Sequence, residues 1–347
     1  MEPITHFLFG ATLSRAGLNR KTALATATMT LAAEAPDLDI LGRLFGGSVF
    51  GFAHHRGFTH SFLGLPLVAA VVVGFIYFIW RLRGRRTRDP NVPPRWGLLF
   101  GYAYLAGLSH ILLDYTNNYG VRPFWPFSER WYSWDIVFII EPVLLVIMIL
   151  GLILPSLFSL INEEIGARQK GPRGRVAATI ALVGVAACWG FRDYEHRRAV
   201  AMLESQTYQG AEPLRVSAYP YMMNPFRWYG VAETPAAFAM MIVDTLTEVD
   251  PEGRMQFRYK PEETPITLAA KKSYLGRVYL DWAQYPVTET EQVNEGPVAY
   301  VVRFRDLRYA YPGRDTRALG AMVFLDRDLH VVEERFGMRA SSASSRR

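Results

Sequence analysis

The stretch HHRGFTHSFLGLPLVAAVVVGFIYFIW, residues 54–80, decides the fold class. Its second part, Phe62 to Trp80, is an apolar run of the length that a helix needs to cross a bilayer core, about 20 residues. Its first part sets His54, His55 and His60 where a loop enters that helix. Ionisable side chains at such a place are costly unless they pair, line a cavity or bind an ion. The chain is therefore an integral membrane protein carrying a polar cluster at one end of its spans.

Further runs extend the reading in both directions. Gly97 to Leu113, Ile136 to Ile161 and Val176 to Phe191 bring the spans to about four. Two shorter helices, Ile4 to Ser14 and Thr22 to Ala35, are rich in Ala, Thr and Gly, small residues that let helices pack closely in lipid. The predicted fold class is a polytopic α-helical membrane domain with these two N-terminal helices, over residues 1–191. A linker or helix extension follows over 192–210, then an extramembrane α+β domain, mainly antiparallel β, over 211–340. The Ser/Arg tail, 341–347, reads as disordered. In the later domain Val298, Tyr300, Val302 and Phe304 alternate as in a strand. Met322 to Leu325 leads to a turn at Asp326-Arg327-Asp328, and Pro265 to Trp282 reads as a helix.

The 347 residues are half hydrophobic, with a formal charge of +6. Mean hydropathy is only +0.06 because the apolar runs crowd the first part of the chain. The basic residues fall in short loops: Arg15, Arg20 and Lys21, then Arg81, Arg83, Arg85, Arg86, Arg88 and Arg95, then Arg168, Lys170, Arg173 and Arg175. That placement sets membrane orientation, and no nucleic-acid partner is expected. With these loops cytoplasmic, the polar residues with ligand chemistry collect near the outer face, and the C-terminal domain lies there too. The single cysteine, Cys188, excludes a disulfide framework and a Cys-based zinc site.

Three segments could carry chemistry. In 54–61 the imidazoles offer neutral nitrogens to a metal, with Thr59 and Ser61 placed to hold them by hydrogen bonds. In His110-Ile111-Leu112-Leu113-Asp114 the two polar side chains are four apart and share a helix face. In Glu34-Ala35-Pro36-Asp37-Leu38-Asp39 the proline ends a helix, and an extended chain after it would point Asp37 and Asp39 the same way. Glu141, inside an apolar run, is a candidate base or ligand. Arg56, Arg122 and Asn117 or Asn118 could orient an anion such as phosphate.

Thr5-His6, Pro36-Asp37-Leu38-Asp39, His55 to Ser61 and His110 to Asp114 together resemble the YdjM-like inner-membrane metal-dependent hydrolases, over roughly the first 190 residues. That family looks distantly related to zinc-dependent phospholipase C and P1-type nucleases. The resemblance implies a multi-pass protein of the bacterial inner membrane. It implies one to three divalent ions, zinc foremost, held by His6, Asp37, Asp39, His55, His60, His110 and Asp114. Glu141 and His54 are then the acid/base candidates, and Arg56 the phosphate contact. The expected activity is hydrolysis of a phosphoester, with a membrane lipid or lipid-linked substrate as partner. Two other readings stay open: a transporter or proton relay through Glu141, His110 and Asp114, and a non-catalytic anchor whose fold a metal stabilises.

Overall fold

The computed structural model describes residues 1–87, 89, 91–164, 174–312 and 319–337. Arg88, the basic residues Arg168, Lys170 and Arg173, and the tail from Ser341 lie outside them. The chain divides into two units. The first comprises Met1–Asp39, Arg56–Arg198 and Pro220–Arg227, and the second Ile40–His55, Ala199–Tyr219 and Trp228 onward.

The first unit is helical. Helix α1 (Pro3–Arg15) starts on a proline, whose fixed φ and missing N–H suit a first turn. It packs on α2 (Ala25–Glu34) so closely that a Cβ on Gly10 would lie 2.7 Å from the Met29 carbonyl oxygen and 2.8 Å from Ala33 Cβ. Helices α4 (Leu65–Leu82) and α5 (Trp96–Tyr115) bury Ala69, Val72, Ala103 and Ala106 against Met29 and Ala32 of α2. Helix α6 (Pro142–Glu164) and the part of α7 (Arg175–Glu204) up to Arg198 complete the unit. Among the described residues, α4, α5 and α7 are long and apolar enough to cross a membrane, and Pro142–Leu157 is a shorter apolar helix.

One expectation is corrected here. The run from Ile136 is not helical until Pro142, so Glu141 does not lie within a span. It stands before the first turn of α6, where its carbonyl accepts the Leu145 N–H. Over residues 192–204 the helix-extension alternative holds, because α7 continues without a break to Glu204.

The second unit contains two four-stranded antiparallel sheets. One has the order β1 (Arg215–Pro220), β2 (Arg227–Glu233), β3 (Ala237–Asp244), β4 (Gln256–Tyr259). The other follows as β5 (Pro286–Glu295), β6 (Val298–Asp306), β7 (Ala321–Leu325), β8 (Val331–Phe336). The strand and turn expected around Asp326 are present, with Val302 opposite Val323. The single helix expected at Pro265 to Trp282 is two, α8 (Pro265–Lys272) and α9 (Tyr274–Trp282). Ser273 is extended at the break, and its hydroxyl accepts the Gly276 N–H to cap α9.

Residues 40–55, expected in the membrane domain, belong to this second unit. They include α3 (Arg43–His54), whose Phe52 stacks on Phe336 at 3.9 Å and meets Trp282 edge-on at 5.4 Å. An aromatic side chain in such a box is worth several kcal/mol of burial, which sequence separation does not reveal.

Gly10→Val should separate α1 from α2, because β-branched atoms would overlap the Met29 carbonyl. The expected result is a lower melting temperature of the detergent-solubilised protein, with Ala tolerated better than Val.

Candidate metal centre

The local chain conformation aims each polar side chain of the first unit. After α2 the backbone tightens into a 3-10 run, Ala35–Gly42, in place of the extended chain expected there. Asp37 and Asp39 therefore do not point the same way. Both reach His60, but on opposite ring nitrogens: Asp37 Oδ1 is 3.3 Å from Nε2 and Asp39 Oδ2 is 3.3 Å from Nδ1. His60 ends a short 3-10 turn, Phe58–His60. The next residue, Ser61, turns its hydroxyl to the Gly64 N–H at 2.9 Å and so begins α4 instead of holding an imidazole.

The proton positions follow from the partners. Thr59 Oγ1 donates to Asp39 Oδ2 at 3.1 Å, so it accepts from His60 Nδ1, 3.0 Å away. His110 Nδ1 lies 2.7 Å from the Ala33 carbonyl, which can only accept. Both Nδ1 atoms thus carry protons, and both Nε2 atoms present lone pairs inward. Those two Nε2 atoms are 3.0 Å apart. Asp37 Oδ1 is 3.5 Å from His110 Nε2, and Asp114 Oδ2 is 3.5 Å from His60 Nε2 and 3.4 Å from His110 Nε2.

Asp37, His60, His110 and Asp114 thus form a group able to hold a metal ion. Ligand bonds of about 2.0–2.1 Å in a tetrahedron imply ligand–ligand edges of roughly 3.3 Å, which the spacings above match. Asp114 Oδ2 is buried without a hydrogen-bond partner among the described residues, an arrangement that a cation would satisfy.

The remaining predicted residues divide clearly. His6 is beside the group, stacked on His110 with ring centroids 3.8 Å apart and its Nε2 3.5 Å from Asp114 Oδ1; neither ring nitrogen has a hydrogen-bond partner among the described residues. His55 and His54 belong to the second unit. The His54 ring stacks on Phe50 at 4.0 Å, and its Nδ1 is 2.9 Å from the Phe50 carbonyl.

Arg56 is not an open phosphate contact. It is 3 % exposed, donates to Asp114 Oδ1 at 2.8 Å and to the Gly120 carbonyl at 2.9 Å, and lies 4.7 Å over the Tyr119 ring. Its backbone N–H donates to Asp39. It positions both carboxylates, and its left-handed φ of 56° is part of that fit. Asn117 likewise serves the fold, contacting Asp114 and accepting the Tyr119 N–H. Arg122 is buried 4.5 Å over the Trp131 ring, and Asn118 is buried.

Glu141 is elsewhere. Its Oε2 accepts from Arg192 Nη2 at 2.7 Å and its Oε1 from the Met223 N–H at 3.1 Å. Arg192 was not anticipated as its partner. The available signal was Arg192 as the first charged residue after an apolar helix, since buried charges of opposite sign pair.

A family model described as YdjM inner membrane protein matches residues 1–199, the part that holds Asp37, His60, His110 and Asp114. The chain belongs to the YdjM family. A second model, described as the YfhP C-terminal alpha/beta plait domain, matches residues 265–346. Among curated proteins, the uncharacterized YfhP of Bacillus subtilis is 26% identical over 154 residues, covering 42% of this chain and 43% of that protein. The inner membrane protein YbcI of Escherichia coli is 39% identical over 115 residues, 31% of this chain and 57% of that one. The chain thus spans about half the length of the curated relatives it matches. No solved structure matches. Membership in the YdjM family and the apolar helices make this an inner membrane protein.

Two substitutions separate these roles. Asp39→Asn should weaken metal retention about 10- to 100-fold, the usual effect of losing a carboxylate behind a ligating imidazole, read by competition with a chelator. Glu141→Gln should leave metal content unchanged but strand Arg192, costing about 3–5 kcal/mol of stability, read as earlier thermal unfolding.

Proposed function

We propose that this YdjM-family protein is a membrane-bound, metal-dependent hydrolase of phosphoesters, acting at the membrane–water interface. The supporting observation is the donor set: two Nε2 atoms and two carboxylate oxygens converge, each Nε2 3.0–3.5 Å from the other three donors, and only Asp37 is appreciably exposed. Zinc suits two imidazoles with two carboxylates in that geometry. A divalent cation held there supplies Lewis acidity toward a phosphoryl oxygen. The chain's own residues do the rest. Thr59, Asp39 and the Ala33 carbonyl lock the imidazoles, Arg56 offsets the charge of Asp114, and Asp37 forms the open side that a substrate reaches first. A lipid or lipid-linked phosphoester fits a site at the ends of membrane helices. In this reading α6 is a fourth crossing, the basic loops are cytoplasmic, and the C-terminal unit is extracytoplasmic.

A second reading is favoured by the burial of His60, His110 and Asp114, each 0 % exposed. Four protein donors in a closed site are typical of structural metals. The ion would then stabilise a membrane anchor. The relay reading loses its third member, because Glu141 is satisfied by Arg192 and Met223.

Elemental analysis of the purified full-length protein beside His60→Ala and His110→Ala tests the centre, with loss of stoichiometric metal expected in both variants. A screen of phosphoesters before and after chelation then divides the readings. Hydrolysis that chelation abolishes while the fold persists supports the enzyme. Unfolding on chelation, with no hydrolysis beforehand, supports the anchor.

A further inference from the structure

Beyond the metal-binding group, the end of α5 borders a second concave feature. A groove of about 340 Å³, within the range of small-molecule sites, is walled by Leu108, Ile111 and Leu112 of α5, by Phe62, and by Phe124 and Tyr132. The last two belong to a hairpin-like loop that the Val121–Tyr132 bridge closes with two hydrogen bonds of 2.9 Å. The loop is fixed in place: the Phe62 N–H donates to the Pro123 carbonyl at 2.9 Å, and Phe124 packs edge-on against Phe62 at 5.5 Å and Tyr132 at 5.6 Å. The groove is thus built, with nearly all its lining apolar.

Its surroundings indicate the occupant. Leu98, Leu105 and Leu112 recur every seven residues, so they lie on one face of α5, and they are 37, 41 and 42 % exposed. That apolar line runs along a membrane-spanning helix and ends in the groove. The loop tip presents Phe124 at 48 % and Phe127 at 86 % exposure, aromatic side chains suited to an interface. Arg130 is exposed, with its guanidinium 5.3 Å over the ring of Tyr132, a groove wall. A bilayer-facing apolar slot with a cation at its polar rim is complementary to a lipid with an anionic head.

We propose that this groove binds one acyl chain of a phospholipid from the surrounding bilayer, with the lipid phosphate at Arg130. The site is independent of the metal and of any hydrolysis. The walls are residues adjacent to ligands: Ile111 follows His110, and Phe62 lies two past His60. A bound chain would therefore pack against the backs of the two ligand-bearing segments.

The test is native mass spectrometry of the full-length protein in mild detergent, titrated with phosphatidylglycerol. Wild type should hold one lipid per chain. Leu112→Trp, which fills the slot, should weaken that binding about tenfold or more, the worth of roughly two buried methylenes. Arg130→Gln should weaken phosphatidylglycerol binding while sparing the fold, since Arg130 is at the surface. Wild-type lipid retention in folded Leu112→Trp, or a wild-type protein that carries detergent only, overturns the proposal. Should Leu112→Trp not fold, Arg130→Gln decides alone, and unchanged binding there overturns it.

Discussion

Two imidazole lone pairs held 3.0 Å apart in a buried pocket, with two carboxylate oxygens beside them, repel one another unless a cation lies between. Much of the first unit is arranged to enforce that convergence. The Ala33 carbonyl at the end of α2 turns His110, which is possible because α2 packs tightly against α5. Asp39 and Thr59 turn His60. Arg56 adopts a left-handed backbone to reach Asp114 with its guanidinium and Asp39 with its N–H. Buried carboxylates and oriented histidines make sense together as a shell able to hold a cation.

The members of the candidate group stood out because side-chain chemistry in an apolar setting is conspicuous: His60, His110 and Asp114 stand at the ends of membrane-length runs. The four-residue spacing of His110 and Asp114 also predicted their shared face correctly, because α5 is helical to Tyr115. The division of labour between Asp37 and Asp39 was not legible. It depends on a 3-10 run that Pro36 permits but does not demand, and that run sends the two carboxylates to opposite nitrogens of one ring. Nor could any residue pattern reveal that a backbone carbonyl would anchor His110.

Longer-range placements were harder still. Glu141 looked like an intramembrane acid because Ile136 to Ile140 is apolar, yet Pro142 is where the helix starts, and Arg192 comes from a helix 51 positions later. Segment 40–55 interrupts the ligand-bearing sequence between Asp39 and Arg56, and its Phe52 finds aromatic partners more than 220 residues away. The antiparallel sheets were readable in outline from alternation and turns, as at Val298 to Phe304 and Asp326, since those signals are local.

X-ray absorption at the metal edge tests the central claim most directly, using the full-length protein loaded with zinc in detergent. The geometry predicts a first shell of nitrogen and oxygen at about 2.0–2.1 Å with the multiple scattering of two imidazoles, reduced to one in His110→Ala. A shell of water oxygens without imidazole scattering, or a spectrum unchanged by that substitution, would contradict it.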